Sequence, residues 1–330
     1  MHANRLMRVI FTSAAALLML LSAGNAAAQA SYPEQAVRIL VGFSAGVAPD
    51  VTARLLADQL SSAWGKPVVV ENVTGAAGNI ATTRLAKAAP DGHTLGMIGN
   101  GSLVFSPSMY DKLGFDPLKD FAPISQIFVA ANVLVVPHDV PAKSLPELVA
   151  LARARPGALT YAHAGAGTSQ HLAAELFKSM ERLDIRPVAY RGTTALLPDL
   201  LAGRVTLSFA NVVNVMPLVR EGKLRAFAVT SVKRSATAPG LPTMAESGYP
   251  GFEAVPWFGL MAPAGTPGAI VERLHRDAVR ILALPDVRKK LNDLGLDVIA
   301  GSPAELAAVI EREIPQWAKV IKQAGIKAGD

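Results

Sequence analysis

The sequence predicts an α/β protein of two open-sheet domains with a ligand cleft between them. Three observations predict it: short β-rich runs alternate with helical patterns, the alternation breaks off near the middle and restarts, and the first strand of each unit ends in a glycine-containing loop that opens a helix. Ligands in open α/β sheets bind beyond the carboxyl ends of the strands, so both loops are expected to face the same cleft.

The first unit opens with "AVRILVGF", a strand rich in β-branched residues, and continues into "DVTARLLADQLSSAWG", a helix expected to be capped by Asp50. "PVVVENV" is the second strand, "GNIATTRLAKAAPDG" the second helix and "HTLGMIG" the third strand. Gly75 and Gly78 either open that second helix toward the cleft or allow close packing. After a loop-rich stretch with Pro107 and Pro117, the apolar run "FAPISQIFVAANVLVVP" is long enough to leave one domain and enter the other.

The rhythm then restarts. "SLPELVALARARPG" is a helix stopped by Pro156 and Gly157, "ALTYAHA" a strand, "SQHLAAELFKSMERL" a helix, "RPVAYRG" a strand, "TALLPDLLAGR" a helix and "VTLSFANV" a strand. "KLRAFAVTS" is β-rich and turns the chain back toward the first unit, which "WFGLMAPAG" and the helices "PGAIVERLHRDAVRILAL" and "PAELAAVIEREIPQWAKVIKQAG" complete. The expected first domain is residues 31–133 with 230–330, the second is 134–229, and the hinge crossings lie near Asn132–Val136 and Phe227–Thr230.

The turn in "YAHAGAGTSQHLAAELFK" is the densest chemical signal. A strand, two glycines and a helix start aim backbone amides and a helix dipole at one point, which suits an anion. A phosphate loop needs Lys and then Ser or Thr after its second glycine, whereas Thr168, Ser169, Gln170 and His171 follow Gly167. A dinucleotide fingerprint needs a third glycine where Gln170 stands and an acidic residue where the next strand ends in Tyr190 and Arg191. A smaller anion such as a carboxylate, or a purely structural turn, remains. Thr168 and Ser169 can cap the helix and donate to a carboxylate, and His171 is either a neutral structural residue or a ligand contact. Arg191 either attracts the anion or sits on the rim. Ala210 and Asn211 end a later strand that should face the same cleft.

The chain starts with "MHANRLMRVIFTSAAALLMLLSAGNAAAQA", whose basic start, apolar run from Ala14 to Leu21 and small-residue end have the form of a secretory signal cleaved after Ala30. Arg5 and Arg8 are its only charged residues, so their removal lowers the formal charge of +6 by two. The remaining Lys and Arg are scattered, so no nucleic-acid partner is expected. Cysteine is absent, which excludes disulfides, thiolate nucleophiles and zinc–thiolate sites. The six histidines lack metal-ligand spacing, and Ser169 and His171 lack the GxSxG elbow of a hydrolase. No enzyme activity, metal or cofactor is expected.

The segments "YPEQAVRILVGFSAG", "KPVVVENVTGAAGNIATTRLAKAAPDGHTLGM", "YAHAGAGTSQHLAAELFK", "LRAFAVTSVKRS", "LPTMAESGYPGFEAVPWFGLMAPAGTP" and "WAKVIKQAGIKA", in this order, resemble the Bug family, the extracytoplasmic solute receptors of tripartite tricarboxylate transporters. The resemblance spans essentially the whole chain after the leader. It implies a type II periplasmic-binding-protein fold, a monomer that closes on a small organic acid, and integral-membrane transporter subunits as partners; a receptor feeding a membrane signalling protein would use the same fold. It also implies a site made of Phe43, Ser44, Ala45, Gly46, Val47 and Asp50 in the first loop and Gly165, Gly167, Thr168, Ser169 and His171 in the second. The family commonly reads proline, phenylalanine, any residue, proline, glycine, glycine in the first loop, where this chain has Gly42, Ala45 and Val47 at the two proline positions and the second glycine. Those changes should loosen the turn and put Val47 where glycine permits positive φ. Many members carry aspartate at Ala210, so alanine there predicts a preference for a carboxylate without an amine.

Overall fold

The computed structural model describes residues 32–190 and 192–327; the leader and Arg191 lie outside the described residues. Two sheets organise the chain. In the first, β1 (Val37–Val41), β2 (Val68–Asn72) and β3 (Thr94–Gly99) are parallel, with β1 between β2 and β3. β10 (Trp257–Pro263) pairs antiparallel with β3, β4 (Phe121–Ala130) with β10, and the short β11 (Leu296–Val298) with β4. In the second, β6 (Thr160–His163) is parallel to β7 (Arg186–Ala189) and β8 (Leu207–Asn211), while β5 (Asn132–Pro137) runs antiparallel to β8 and β9 (Leu224–Val229).

Helices cover both sheets. α1 (Ala48–Trp64) follows β1, α2 (Asn79–Ala86) precedes β3, and the short α3 (Ser106–Met109) follows it. α4 (Leu145–Ala154), α5 (Ser169–Glu181), α6 (Thr193–Leu201) and α7 (Val212–Arg220) belong to the second sheet. α8 (Gly268–Leu282), α9 (Pro285–Asp293) and α10 (Pro303–Ala324) close the chain. The local causes are plain in α1, where Ala53, Leu56, Ala57 and Leu60 form one buried stripe and Gly65 at φ 63° ends the helix. Its start corrects an expectation. Val47 is the N-cap, with no side-chain capping bond, and Asp50 lies inside the first turn.

Ala131 alone separates β4 from β5, so the apolar run "FAPISQIFVAANVLVVP" does cross from one sheet to the other. The return is longer than one strand: β9 stays in the second sheet, and residues 230–256 bring the chain back to β10. A third tie lies outside both crossings. α10 packs on β4, and at its far end Ser179 of α5 donates to the Gln323 side chain at 3.2 Å. Beside it Phe209 stacks with Phe252 at 6.1 Å and Phe177 meets Tyr249 edge-on at 5.5 Å. One apolar cluster therefore runs through both lobes, from Leu40 and Leu103 to Tyr161, Phe177 and Phe209.

α10 begins with a full capping box between Ser302 and Glu305 and buries Leu306, Ile310, Trp317 and Ile321 at helical spacing. The same stripe includes a carboxyl group: Glu313 is 5% exposed and accepts from the Trp257 indole at 2.9 Å. Burial pushes this carboxyl up to about 7; the indole bond and Arg312 act against that shift, and Glu253 adds to it. A carboxyl raised in the native state binds its proton more tightly there than in the unfolded chain. Stability is thus highest below the unfolded value and declines as pH rises toward 7. The decline should amount to ~3 kcal/mol. Glu313→Gln keeps an acceptor for Trp257, so urea unfolding at acid and mildly alkaline pH should show the decline reduced and the variant more stable than wild type on the alkaline side.

Candidate functional site

The strand directions bring the loops together. Because β10 is antiparallel to β3 and β4 to β10, the end of β4 and the start of β10 lie at the carboxyl edge of β1–β3. In the second sheet the antiparallel β5 starts at the carboxyl edge of β6 and β8, where Asn132 faces Asn211 in register. Both crossings therefore sit at the carboxyl edges, and the loops after β1, β2, β6 and β8 lie at those same edges.

The first loop is set by a carboxylate and a glycine contact. Asp50, 1% exposed, accepts from the Gly46 N–H at 2.8 Å, from Asn72 Nδ2 at 2.8 Å and from Arg54 Nε at 3.1 Å. Asn72 Nδ2 also donates to the Phe43 carbonyl at 2.9 Å, and Arg54 donates to Asn72 Oδ1 at 3.0 Å. Burial raises the Asp50 carboxyl, but the bonds from Arg54, Gly46 and Asn72 outweigh it and hold the group below the usual carboxylate range. Asp50 thus shapes the loop without capping the helix. Gly42 explains one departure from the family pattern, since a Cβ there would lie 2.6 Å from the Gly78 Cα. The expected strain at Val47 does not arise: its φ is −87°, and Gly46 takes the positive angle at 84°. Ser44, Ala45, Gly46 and Val47 are exposed, while Phe43 is half-buried edge-on to Phe258 at 5.5 Å.

The second loop is tighter. Thr168 is the N-cap of α5: its hydroxyl accepts from the His171 N–H at 3.4 Å and donates to the Gly165 carbonyl at 2.8 Å. That proton is committed inside the loop, so Thr168 is a shaping residue. Ser169 is different, because its Oγ accepts from Asn132 Nδ2 at 3.1 Å, a bond that does not use the hydroxyl proton. Gly165 and Gly167 have φ of 128° and 69°, and their N–H groups donate to Nδ1 of His163 and of His171 at 3.3 and 3.2 Å. A Cβ on Gly167 would lie 2.4 Å from Met109 Cε, so this loop touches the first lobe.

At the end of β8 the two expected residues part company. Asn211 caps α7, its Oδ1 accepting from the Val213 N–H at 3.2 Å, and it sits half-buried beside Asn132. Ala210 does not face the cleft. Its side chain points to the opposite side of the sheet and is fully buried in the apolar cluster of Val133, Val135, Leu196 and Val215. It therefore supplies no argument about ligand amines. Asn72, Arg54, His163 and Met109 carry no sign in the sequence, and Asn132 stands there only as the start of a hinge crossing, a polar residue interrupting the apolar run.

The comparisons agree with this architecture. The family model described as "Tripartite tricarboxylate transporter family receptor" matches residues 52–326. BugT of Bordetella pertussis is 35% identical over 330 residues, covering 99% of each chain. A structure of an R. palustris protein with adipate is 38% identical, with a TM-score of 0.73 over 90% of this chain and 99% of that one. MatC from Rhodopseudomonas palustris with bound malate is 34% identical, with a TM-score of 0.70 over 88% of this chain and 100% of that one.

Every partner of Asp50 is a donor, so Asp50→Asn places an amide NH₂ among N–H groups. The substitution should cost about 2–3 kcal/mol near neutral pH by chemical denaturation. A lowered carboxyl contributes stability above its unfolded value and loses it as pH falls through the native one, so the gap between variant and wild type should close in strong acid.

Proposed function

Because this chain belongs to the family of tripartite tricarboxylate transporter receptors, we propose that it captures a small organic carboxylate between its lobes in the periplasm and hands it to the membrane subunits of a tripartite transporter. The observation that carries this reading is the pair of glycine-bearing loops at the carboxyl edges of the two sheets, each leading into a helix. The first N–H groups of a helix have no intrahelical acceptor, and the dipole adds positive potential there. α1 and α5 direct both toward the gap, where the Ser169 hydroxyl adds a donor. No arginine or lysine is needed for such a seat, since oriented amides bind an anion directly. The adipate and malate seen on the two relatives support the same ligand class for this chain. Among the described residues no helix is long and apolar enough to cross a membrane, and the leader has the form of an export signal.

Titration of the purified protein with adipate, malate and succinate should show saturable binding of at least one of them. Ser169→Ala should weaken that binding about tenfold, the usual effect of leaving a charged acceptor one donor short. Equal affinity in a folded variant would remove Ser169 from the site.

We further propose that the lobe built on the first sheet closes against the lobe built on the second by pivoting at Ala131 and at Thr230, since the expected crossing at Asn132–Val136 lies inside β5 of the second sheet. Asn132 and Thr230 exchange two bonds there, Thr230 N–H to the Asn132 carbonyl at 2.9 Å and Asn132 N–H to Thr230 Oγ1 at 3.1 Å. Such a ladder can bend without repacking either sheet. X-ray scattering should report a smaller radius of gyration when the tightest of these acids is bound, and identical profiles would indicate a rigid cleft.

A further inference from the structure

We infer that His163 and His171 form a neutral stacked pair that positions the carboxylate-binding turn, so that the protein loses ligand affinity when the pair takes up a proton. The inference rests on the proposed carboxylate seat at Gly165–Ser169 and adds the device that shapes it.

The two imidazoles stack with centroids 4.1 Å apart and planes at 19°, and they are only 3% and 8% exposed. Each receives a backbone N–H from one glycine of the turn at its Nδ1, Gly165 onto His163 and Gly167 onto His171. An Nδ1 that accepts carries no proton, so both rings are neutral and hold their hydrogen on Nε2. One lies on the strand before the turn and the other on the helix after it. Together they fix the two alternate amides between them, and the amides left over, in particular those opening α5, are the ones presented to the anion.

Protonation undoes this arrangement at three points. An imidazolium donates from both nitrogens and accepts at neither, so the glycine N–H facing it loses its partner. A second proton would place two cations at stacking distance. His171 also sits in the first turn of α5, where the dipole opposes positive charge. Tyr161, beside both rings, donates to Glu175 at 2.6 Å, and Lys178 donates to the same carboxylate at 2.6 Å. Glu175, the anionic group nearest the pair on α5, is thus already engaged by two donors. α10, packed against α5, presents the neutral Gln323, and the first lobe presents Met109. Burial lowers the His163 imidazole, and the Glu175 carboxylate acts the other way. His163 therefore stays neutral further into acid than an ordinary histidine.

The test compares wild type with a double variant, His163→Asn with His171→Asn, whose amide oxygens replace the Nδ1 acceptors without titrating. Calorimetric titration with adipate from about pH 7.5 to about pH 5 should show wild-type affinity falling about tenfold more than that of the double variant. The comparison cancels protonation of adipate itself. His163→Ala should weaken adipate about tenfold already at the higher pH. In ligand-free, glycine-labelled protein, the Gly165 and Gly167 amide resonances should shift with one shared midpoint in wild type and stay flat in the double variant. Superimposable affinity profiles, or an Ala variant that binds as tightly as wild type, would overturn the inference. If folded wild type binds no carboxylate at any pH, the carboxylate reading fails by itself and the glycine resonances decide the pair: no shared titration refutes it.

Discussion

The antiparallel pairing of β10 with β3 and of β5 with β8 is the constraint on which the site depends. A purely parallel sheet returns its chain at the amino edge, away from the loops that bind. The reversal of β10 in one sheet and of β5 in the other moves the crossings to the carboxyl edge. The pivot and the two glycine loops then share one side of the molecule, and any rotation between the lobes changes the distance between those loops. Packing follows from the same choice. The continuous apolar cluster through Trp257, Phe209 and Phe252 lies just behind the crossings, where lobe rotation displaces side chains least.

Two buried carboxyl groups of the first lobe show how differently one lobe uses charge. Asp50 is surrounded by donors from a backbone amide, an asparagine and an arginine, so its ionised form is the stable one and it organises a loop that is otherwise exposed. Glu313 has the Trp257 indole and an Arg312 guanidinium at 3.7 Å, but burial and the nearby Glu253 prevail and its environment favours the neutral acid. The first arrangement is worth its desolvation because the loop has few apolar contacts of its own. The second sits in a packed helix stripe, where apolar neighbours already hold the helix.

Much of the architecture was legible in the sequence, because its signals are local: alternation of β-rich runs with helical stripes, glycines after the strands and caps before the helices. The glycine turn was likewise legible as a tight strand-to-helix turn, whose residues after Gly167 exclude the phosphate and dinucleotide patterns. What could not be read depends on which residues meet across the fold. Asp50 looks like a cap from its place before an apolar stripe, yet its partners Asn72 and Gly46 come from the next strand and the preceding turn. Ala210 was placed one face out, because the period of two along β8 tells which residues share a face and not which face is wet. His163 carried no signal until the strand and helix set it against His171.

The arrangement of α10 bears on how the chain reaches this state. The central strand β10, the edge strand β11 and the helix that joins the lobes all come from the last third of the sequence. A nascent chain ending before Trp257 has β1, β2 and β3 without the strand that connects them to β4. Its sheet is split, and the apolar surface that α10 covers is open. Such non-local pairings delay folding until their distant partners arrive. The last third of the sequence therefore joins the two halves of the first sheet and covers the apolar surface under α10 in one step, which favours cooperative folding late in synthesis.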